Sequence, residues 1–277
     1  MKNAFVTGAS TGIGRAICES LAATERWIVF AGVRNFEKLV PFKHPNIKLV
    51  QLDLANLSDP RALLEQMPEE LHAIVNNAGI NLLGPLEYTN IQKAREQFEV
   101  NFWGPVAISQ LLLPRLRAAH RPHWNPKVVV IGSIGSLAAV PWQPFYHATK
   151  FALLGVFEST KYELASQEVK VTVICPGGVR TDFMAKTGQS ARQALSELPP
   201  HSPKAYQHGI EKLSGIIATA NRAGSTPEAV ARKVVRVIES RDPKFQIIVG
   251  SDAKLIWLLK CWLPERAFMS IYQRIFT

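Results

Sequence analysis

Tyr146 and Lys150 stand four residues apart in Phe145-Tyr146-His147-Ala148-Thr149-Lys150. On a helix that spacing puts both on one face, one turn apart. A free phenol titrates near pH ~10, too high for ready proton exchange at neutrality. A neighbouring ammonium stabilises the phenolate and lowers that value, which suits general acid–base chemistry on a carbonyl or alcohol oxygen. Ser133 offers a hydroxyl to hold the same oxygen. His147 falls off the shared face and reads as structural. Near the start of the chain, Thr7-Gly8-Ala9-Ser10-Thr11-Gly12-Ile13-Gly14 has the glycines that let backbone approach a pyrophosphate at a helix N-terminus. A nucleotide turn combined with an activated Tyr predicts hydride transfer, with a dinucleotide carrying the redox chemistry.

The elements that must position these residues alternate between strand and helix. Strands are predicted at 4–7, 27–32, 47–52, 73–76, 127–132, 169–174 and 245–249, and helices at 13–23, 60–66, 91–117, 145–165 and 226–239. The helix over 91–117 is expected to bend near Gly104-Pro105. Thr226-Pro227 reads as an N-cap followed by Pro in the first turn, and Ser58 as the cap of the helix near 60. Such alternation predicts an α/β fold: a doubly wound parallel sheet between two helical layers, a Rossmann-type three-layer sandwich. Ligands of such sheets bind beyond the carboxyl ends of the strands, where Gly8, Asn76, Ser133 and Pro176 all fall.

Composition restricts the alternatives. The 277 residues are 47% apolar, enough for a large core, and carry a net charge of +10. Cys18, Cys175 and Cys261 are too far apart for a metal or disulfide pattern, so no metal is expected and a reducing cytoplasm fits. The first residues lack the apolar stretch of a secretion signal. Residues 183–277 hold 14 Lys and Arg against 7 Asp and Glu, whereas residues 1–182 hold 18 against 15. A basic C-terminal third suits an anionic surface. No nucleic-acid motif accompanies it, so no nucleic-acid partner is expected.

Taken in order, Thr7-Gly8-x-x-x-Gly12-x-Gly14, Asp53, Asn76-Asn77-Ala78-Gly79, Asn101, Ser133, Tyr146-x-x-x-Lys150 and Pro176-Gly177-Gly178-Val179-Arg180-Thr181 resemble the short-chain dehydrogenase/reductase family. The resemblance covers about residues 3–250. Asn77-Ala78-Gly79-Ile80-Asn81-Leu82-Leu83-Gly84-Pro85-Leu86-Glu87 is similar to its 17β-hydroxysteroid and retinol dehydrogenase branch. The resemblance implies a catalytic set of Asn101, Ser133, Tyr146 and Lys150, with Asn101 helping to hold a water that links Lys150 to solvent. It implies cofactor contacts from Gly8, Ser10, Thr11, Gly12, Ile13, Gly14, Asp53 (to the adenine), Asn77, Tyr146, Lys150 (to the nicotinamide ribose), and Pro176, Gly177, Val179 and Thr181 around the carboxamide. Arg34 follows the second strand, with Val33 where NAD sites carry an acid. This favours NADP(H) over NAD(H), although Thr11 stands where many NADP-binding members carry a second basic residue. The implied reaction interconverts an alcohol and a ketone or aldehyde on a lipophilic substrate: a steroid, retinoid or long-chain carbonyl compound. Alternatives are a dinucleotide sensor on the same fold and a membrane-surface module. Relatives imply a homodimer or homotetramer built on helices 91–117 and 145–165.

The expected organisation is one catalytic domain over 1–251, with 183–223 a polar, Pro-rich insertion covering the substrate, and a tail over 252–277. The tail, with Trp257, Trp262, Lys254, Lys260, Arg266 and Arg274, has the composition of an interfacial helix on an anionic membrane surface. Packing against the body or a partner subunit is the other reading. On the membrane reading the protein is cytoplasmic and peripherally attached, and a chain ending at Ser251 is expected to fold without the tail.

Overall fold

The computed structural model describes residues 1–56 and 60–276; Ser58, expected to cap a helix, lies outside them. Seven parallel strands form one sheet: β1 (Lys2–Thr7), β2 (Trp27–Val33), β3 (Ile47–Gln51), β4 (Ala73–Asn76), β5 (Lys127–Ile131), β6 (Lys170–Pro176) and β7 (Gln246–Val249). Their spatial order is β3-β2-β1-β4-β5-β6-β7. The chain winds outward from β1 to β3, then returns to the other side of β1 at β4, so the switch point lies between β1 and β4. Every residue of β4 and β5 is buried, as a strand covered on both faces requires.

Among the described residues ten α-helices accompany this sheet: α1 (Gly12–Ala22), α2 (Pro60–Glu65), α3 (Ile91–Phe98), α4 (Gly104–Ala118), α5 (Pro144–Glu163), α6 (Asp182–Ser196), α7 (Lys204–Ala223), α8 (Pro227–Glu239), α9 (Ser251–Trp262) and α10 (Glu265–Phe276). Ile17 and Leu21 of α1 join Val230, Val234 and Ile238 of α8 over one face. Ile108, Leu112 and Leu116 of α4 and Leu153 and Phe157 of α5 cover the other. The cap of α8 is the expected one: the Thr226 side chain accepts from Ala229 N at 3.1 Å.

Two stretches differ from expectation. The 91–117 helix departs from α geometry at a π-helical turn, Glu99–Trp103, just before Gly104-Pro105. Pro105 has no N–H to donate to the carbonyl of Asn101, and its ring crowds that carbonyl; the turn widens there. The body, expected to fold without the tail, shares a core with it, as the packing reading of the tail has it. Phe268, Tyr272 and Phe276 of α10 are buried with Ile210, Leu213 and Ile217 of α7 in a third core that also includes Ala191 of α6 and Leu83. A chain ending at Ser251 therefore loses one wall of that core. The insertion over 183–223 folds as α6 and α7, parted by Pro199-Pro200 and Pro203.

Candidate active site

The glycine turn closes against the segment after β4. Gly8 and Gly12 have positive φ. A Cβ on Gly14 would lie 2.3 Å from Gly8 O and 2.5 Å from Asn77 Nδ2, so only glycine allows this approach. Asn77 Nδ2 donates to Thr7 O and Gly8 O at 3.0 and 3.1 Å. Asn77 N and Ala78 N donate to Thr7 Oγ1. Asn77 thus shapes the turn through its backbone. No cap side chain serves the leading amides of α1, whose N-cap is Thr11. A crowded glycine turn opening onto those amides fits a dinucleotide pyrophosphate. Across from it, a Cβ on Gly12 would meet Thr181 Cγ2 at 3.1 Å, which brings the loop after β6 to the turn. Thr181 Oγ1 donates to Val179 O, and Thr181 N to Asn221 Oδ1.

At the end of β2, Val33 is buried in the core and Arg34 is exposed. The Arg34 carbonyl is held by Gln51 Nε2 at 2.7 Å, leaving the guanidinium to solvent. Asp53 Oδ1 accepts from Ala55 N at 3.1 Å. One carboxylate oxygen therefore caps the short turn at Leu54–Asn56.

Asn101 is fully buried in the π-helical turn. Its Oδ1 accepts from Ile80 N and its Nδ2 donates to Ile80 O, both at 2.8 Å. Nδ2 also donates to Thr149 Oγ1 at 3.2 Å, and that hydroxyl donates to Tyr146 O at 2.7 Å. The side chain so ties the segment after β4 to the helix bearing Tyr146. π-helical turns concentrate at functional sites.

Ser133 follows β5 and opens a capped turn. Its Oγ accepts from Gly135 N at 3.0 Å while its N donates to Ser136 Oγ. The same side chain lies close enough to the Tyr146 phenol to favour its ionised form. The Tyr146 ring lies 6.2 Å from that of Phe183 at the start of α6. Burial pushes the phenol above its ordinary value, and the bond from Ser133 opposes that rise. The four-residue spacing predicts that Lys150 lowers it. Here Lys150 Nζ lies 5.8 Å from the Tyr146 ring centroid and donates to Ile131 O at 3.0 Å; desolvation outweighs so distant a charge. Burial brings Lys150 itself down to about 8, partly opposed by Cys175. His147 is structural as read: Val140 N donates to its Nε2, and Nδ1 faces Gly135 O at 3.0 Å, which a neutral ring satisfies. Burial also holds its pKa below the ordinary value.

Lys150→Met is expected to stabilise the cofactor-free protein at neutral pH while removing activity. Lys150 is lowered in the fold from 10.5 to about 8. The unfolded chain then binds more protons between those values, so wild-type stability rises with pH through that window. Below it, the buried ammonium costs up to ~3 kcal/mol. Denaturant melts at pH 7 and pH 10 check this: the gain from Lys150→Met should shrink at the higher pH.

A glycine turn, a Ser–Tyr pair and a buried Lys on one rim of a parallel sheet define a dinucleotide-dependent oxidoreductase site of the Rossmann type. The short chain dehydrogenase family model matches residues 2–192, and the chain belongs to that family. It is 28% identical to the NADPH-dependent 3-dehydrocapnine reductase of Ornithobacterium rhinotracheale over 99% of this chain and 97% of that one. It is also 28% identical to human retinol dehydrogenase 8, over 87% and 79%, in keeping with the retinol-type branch. A Burkholderia cenocepacia short chain dehydrogenase crystallised with NADP has the same fold, at 24% identity, TM-score 0.74 and full coverage of both chains.

Phe183 opens the stretch read as covering the substrate, but spacing gave no sign of two contributors to the site on α9, Asp252 and Lys260. Both of these meet it from an element distant in sequence.

Proposed function

We propose that the protein is an NADP(H)-dependent oxidoreductase that interconverts an alcohol and a ketone or aldehyde on a lipophilic substrate. The observation that carries this is the grouping of Ser133, at the end of β5, with the Tyr146 ring and with Lys150 Nζ 5.8 Å from that ring, on the sheet rim that also carries the glycine turn. Gly8, Ser10, Thr11, Gly12, Ile13 and Gly14 would hold the pyrophosphate, Arg34 the 2′-phosphate, Asp53 the adenine, and Lys150 and Pro176–Thr181 the nicotinamide half. When bound, the dinucleotide supplies or accepts the hydride. Tyr146 gives its phenol proton to the carbonyl oxygen in reduction and takes it back in oxidation. Ser133 polarises that oxygen, and Lys150 supports the phenolate and the ribose. Asn101 holds the Ile80 segment and α5 in register. The named activities of the reductase and retinol dehydrogenase relatives support both the reaction and the substrate class. An open cleft of about 500 Å³, walled by Leu86, Val140, Trp142 and Tyr206, lies beside the first turn of α5 and suits an apolar chain. The test is NADPH consumption against retinals, steroids, long-chain ketones and alkanals; silence across the panel with tightly bound NADPH would favour a dinucleotide sensor.

We also propose that the protein works at an anionic membrane surface. Leu255, Leu258, Trp262, Met269, Ile271 and Ile275 are exposed on the outer faces of α9 and α10 although the inner faces are packed, with Lys254, Arg266 and Arg274 beside them. Trp and Leu with flanking cations suit an interface, and each cation contributes about 1 kcal/mol near an anionic leaflet. No helix among the described residues is long and apolar enough to cross a membrane. Full-length protein should sediment with anionic vesicles, and Leu258→Glu/Trp262→Glu should stay in the supernatant with its fold intact. Equal sedimentation of the two would end this reading, and a dimer broken by the substitutions would give the face to a second copy. A homodimer or homotetramer through Trp103, Phe151 and Tyr162, exposed on the family's usual pairing helices, is the accompanying proposal for assembly.

A further inference from the structure

Helix α9 reaches two of the loops that make the site. At its first turn the Asp252 carboxylate accepts a hydrogen bond from Gly178 N at 2.7 Å, across 74 residues of sequence. At its last turn Lys260 donates to Leu137 O and lies 5.6 Å from the Phe151 ring centroid. Leu137 closes the turn that Ser133 opens, through Leu137 N to Ile134 O. Between these ends, Ala253 is fully buried and Trp257 packs on the core beneath α5.

The fit at Asp252 is close. A Cβ on Gly177 would lie 2.3 Å from Asp252 Oδ2, and one on Gly250 2.5 Å from Oδ1. The chain has glycine at both places, and Gly250 takes a φ of 106° to start the helix there. Asp252 lies in the first turn of its own helix, whose N-cap is Gly250 with no side-chain cap hydrogen bond. What Asp252 holds is the loop after β6.

We infer that Asp252 and Lys260 are positioning residues that make α9 a brace across the site. Asp252 fixes the Gly177–Thr181 loop where the nicotinamide half of the cofactor would be received. Lys260 fixes the Ser133 turn through Leu137. The assignment rests on the proposed oxidoreductase reading, and it divides the brace into a cofactor end and a catalytic end. A helix serving only the fold would not separate the two.

The test uses full-length wild type, Asp252→Ala, Asp252→Asn and Lys260→Met. Three quantities are read: hydrogen exchange over residues 177–181 without cofactor, NADPH dissociation by fluorescence, and kcat at saturating NADPH. Asp252→Ala should speed exchange over 177–181 and weaken NADPH by about 5- to 30-fold, the share of an exposed charge-assisted hydrogen bond, with kcat within about twofold of wild type. Asp252→Asn keeps an acceptor oxygen and should recover most of the loss. Lys260→Met should leave NADPH affinity unchanged and lower kcat about tenfold. Unchanged exchange and affinity in Asp252→Ala would overturn the inference. So would equal losses of affinity and kcat in both variants alongside a common loss of thermal stability. Wild-type NADPH binding tests the functional reading separately, and the exchange measurement reads the brace without any cofactor.

Discussion

Tyr146→Phe is expected to lower kcat by about 10²- to 10⁴-fold, the usual contribution of a positioned general acid–base group, with NADPH dissociation close to wild type. The substitution removes one hydroxyl and keeps the ring that lies beside Phe183, so the helix and its packing have no reason to change. Since burial raises the phenol above its ordinary value, it is protonated at neutral pH and ready to act as the acid in carbonyl reduction. Oxidation needs the phenolate, so the oxidation rate should climb as pH rises, while reduction should hold steady through neutrality and then decline. Steady-state rates in both directions across pH 6–10, for wild type and Tyr146→Phe, check this. Retention of most of the wild-type kcat by the variant would remove Tyr146 from the chemistry.

NADPH is expected to bind about tenfold to a hundredfold more tightly than NADH, and Arg34→Asp should reverse the order. Val33, at the place where an acid would meet the ribose hydroxyls, is buried in the core. The next side chain, Arg34, is exposed, and a guanidinium pairs with a phosphate through charge-assisted bonds. Such bonds contribute about 1.5–3 kcal/mol, and solvent screening at an exposed Arg places the preference toward the lower end. Raising the salt concentration should narrow it further. Fluorescence titration of both dinucleotides at two ionic strengths is the check. Equal dissociation constants would show that Arg34 does not read the phosphate.

The sheet was legible because its strands announce themselves locally. Val128–Ile131 is a run of β-branched residues that belongs nowhere but inside a covered sheet, and β5 lies there. The rim followed from the same reading, since the glycine turn, Asn77, Ser133 and Gly177 come at the ends of strands. Four features could not be seen in this way. The π-helical turn at Glu99–Trp103 lies immediately upstream of the bend read at Gly104-Pro105, because a proline acts on the carbonyl four residues before it. The tail looked apolar all round, and periodicity does not say which face is already used; Phe268, Tyr272 and Phe276 spend one face on α7, while Trp262 stays outside. The sign of the Tyr146 shift depended on the distance to Lys150 and on burial, neither of which a four-residue spacing supplies. Asp252 lay furthest from view. Its partner is an amide 74 positions away, and the nearest trace of it in the sequence is a pair of glycines, Gly177 and Gly250, that leave it room.

The most direct measurement of hydride transfer uses NADPH labelled with deuterium at the transferred C4 position, with mass analysis of the alcohol formed from a lipophilic carbonyl of the substrate panel. The account predicts alcohol one mass unit heavier than from unlabelled cofactor, with the label on the carbinol carbon, from wild type and essentially none from Tyr146→Phe. Alcohol formed without the label, or labelled alcohol formed equally well by Tyr146→Phe, would contradict it.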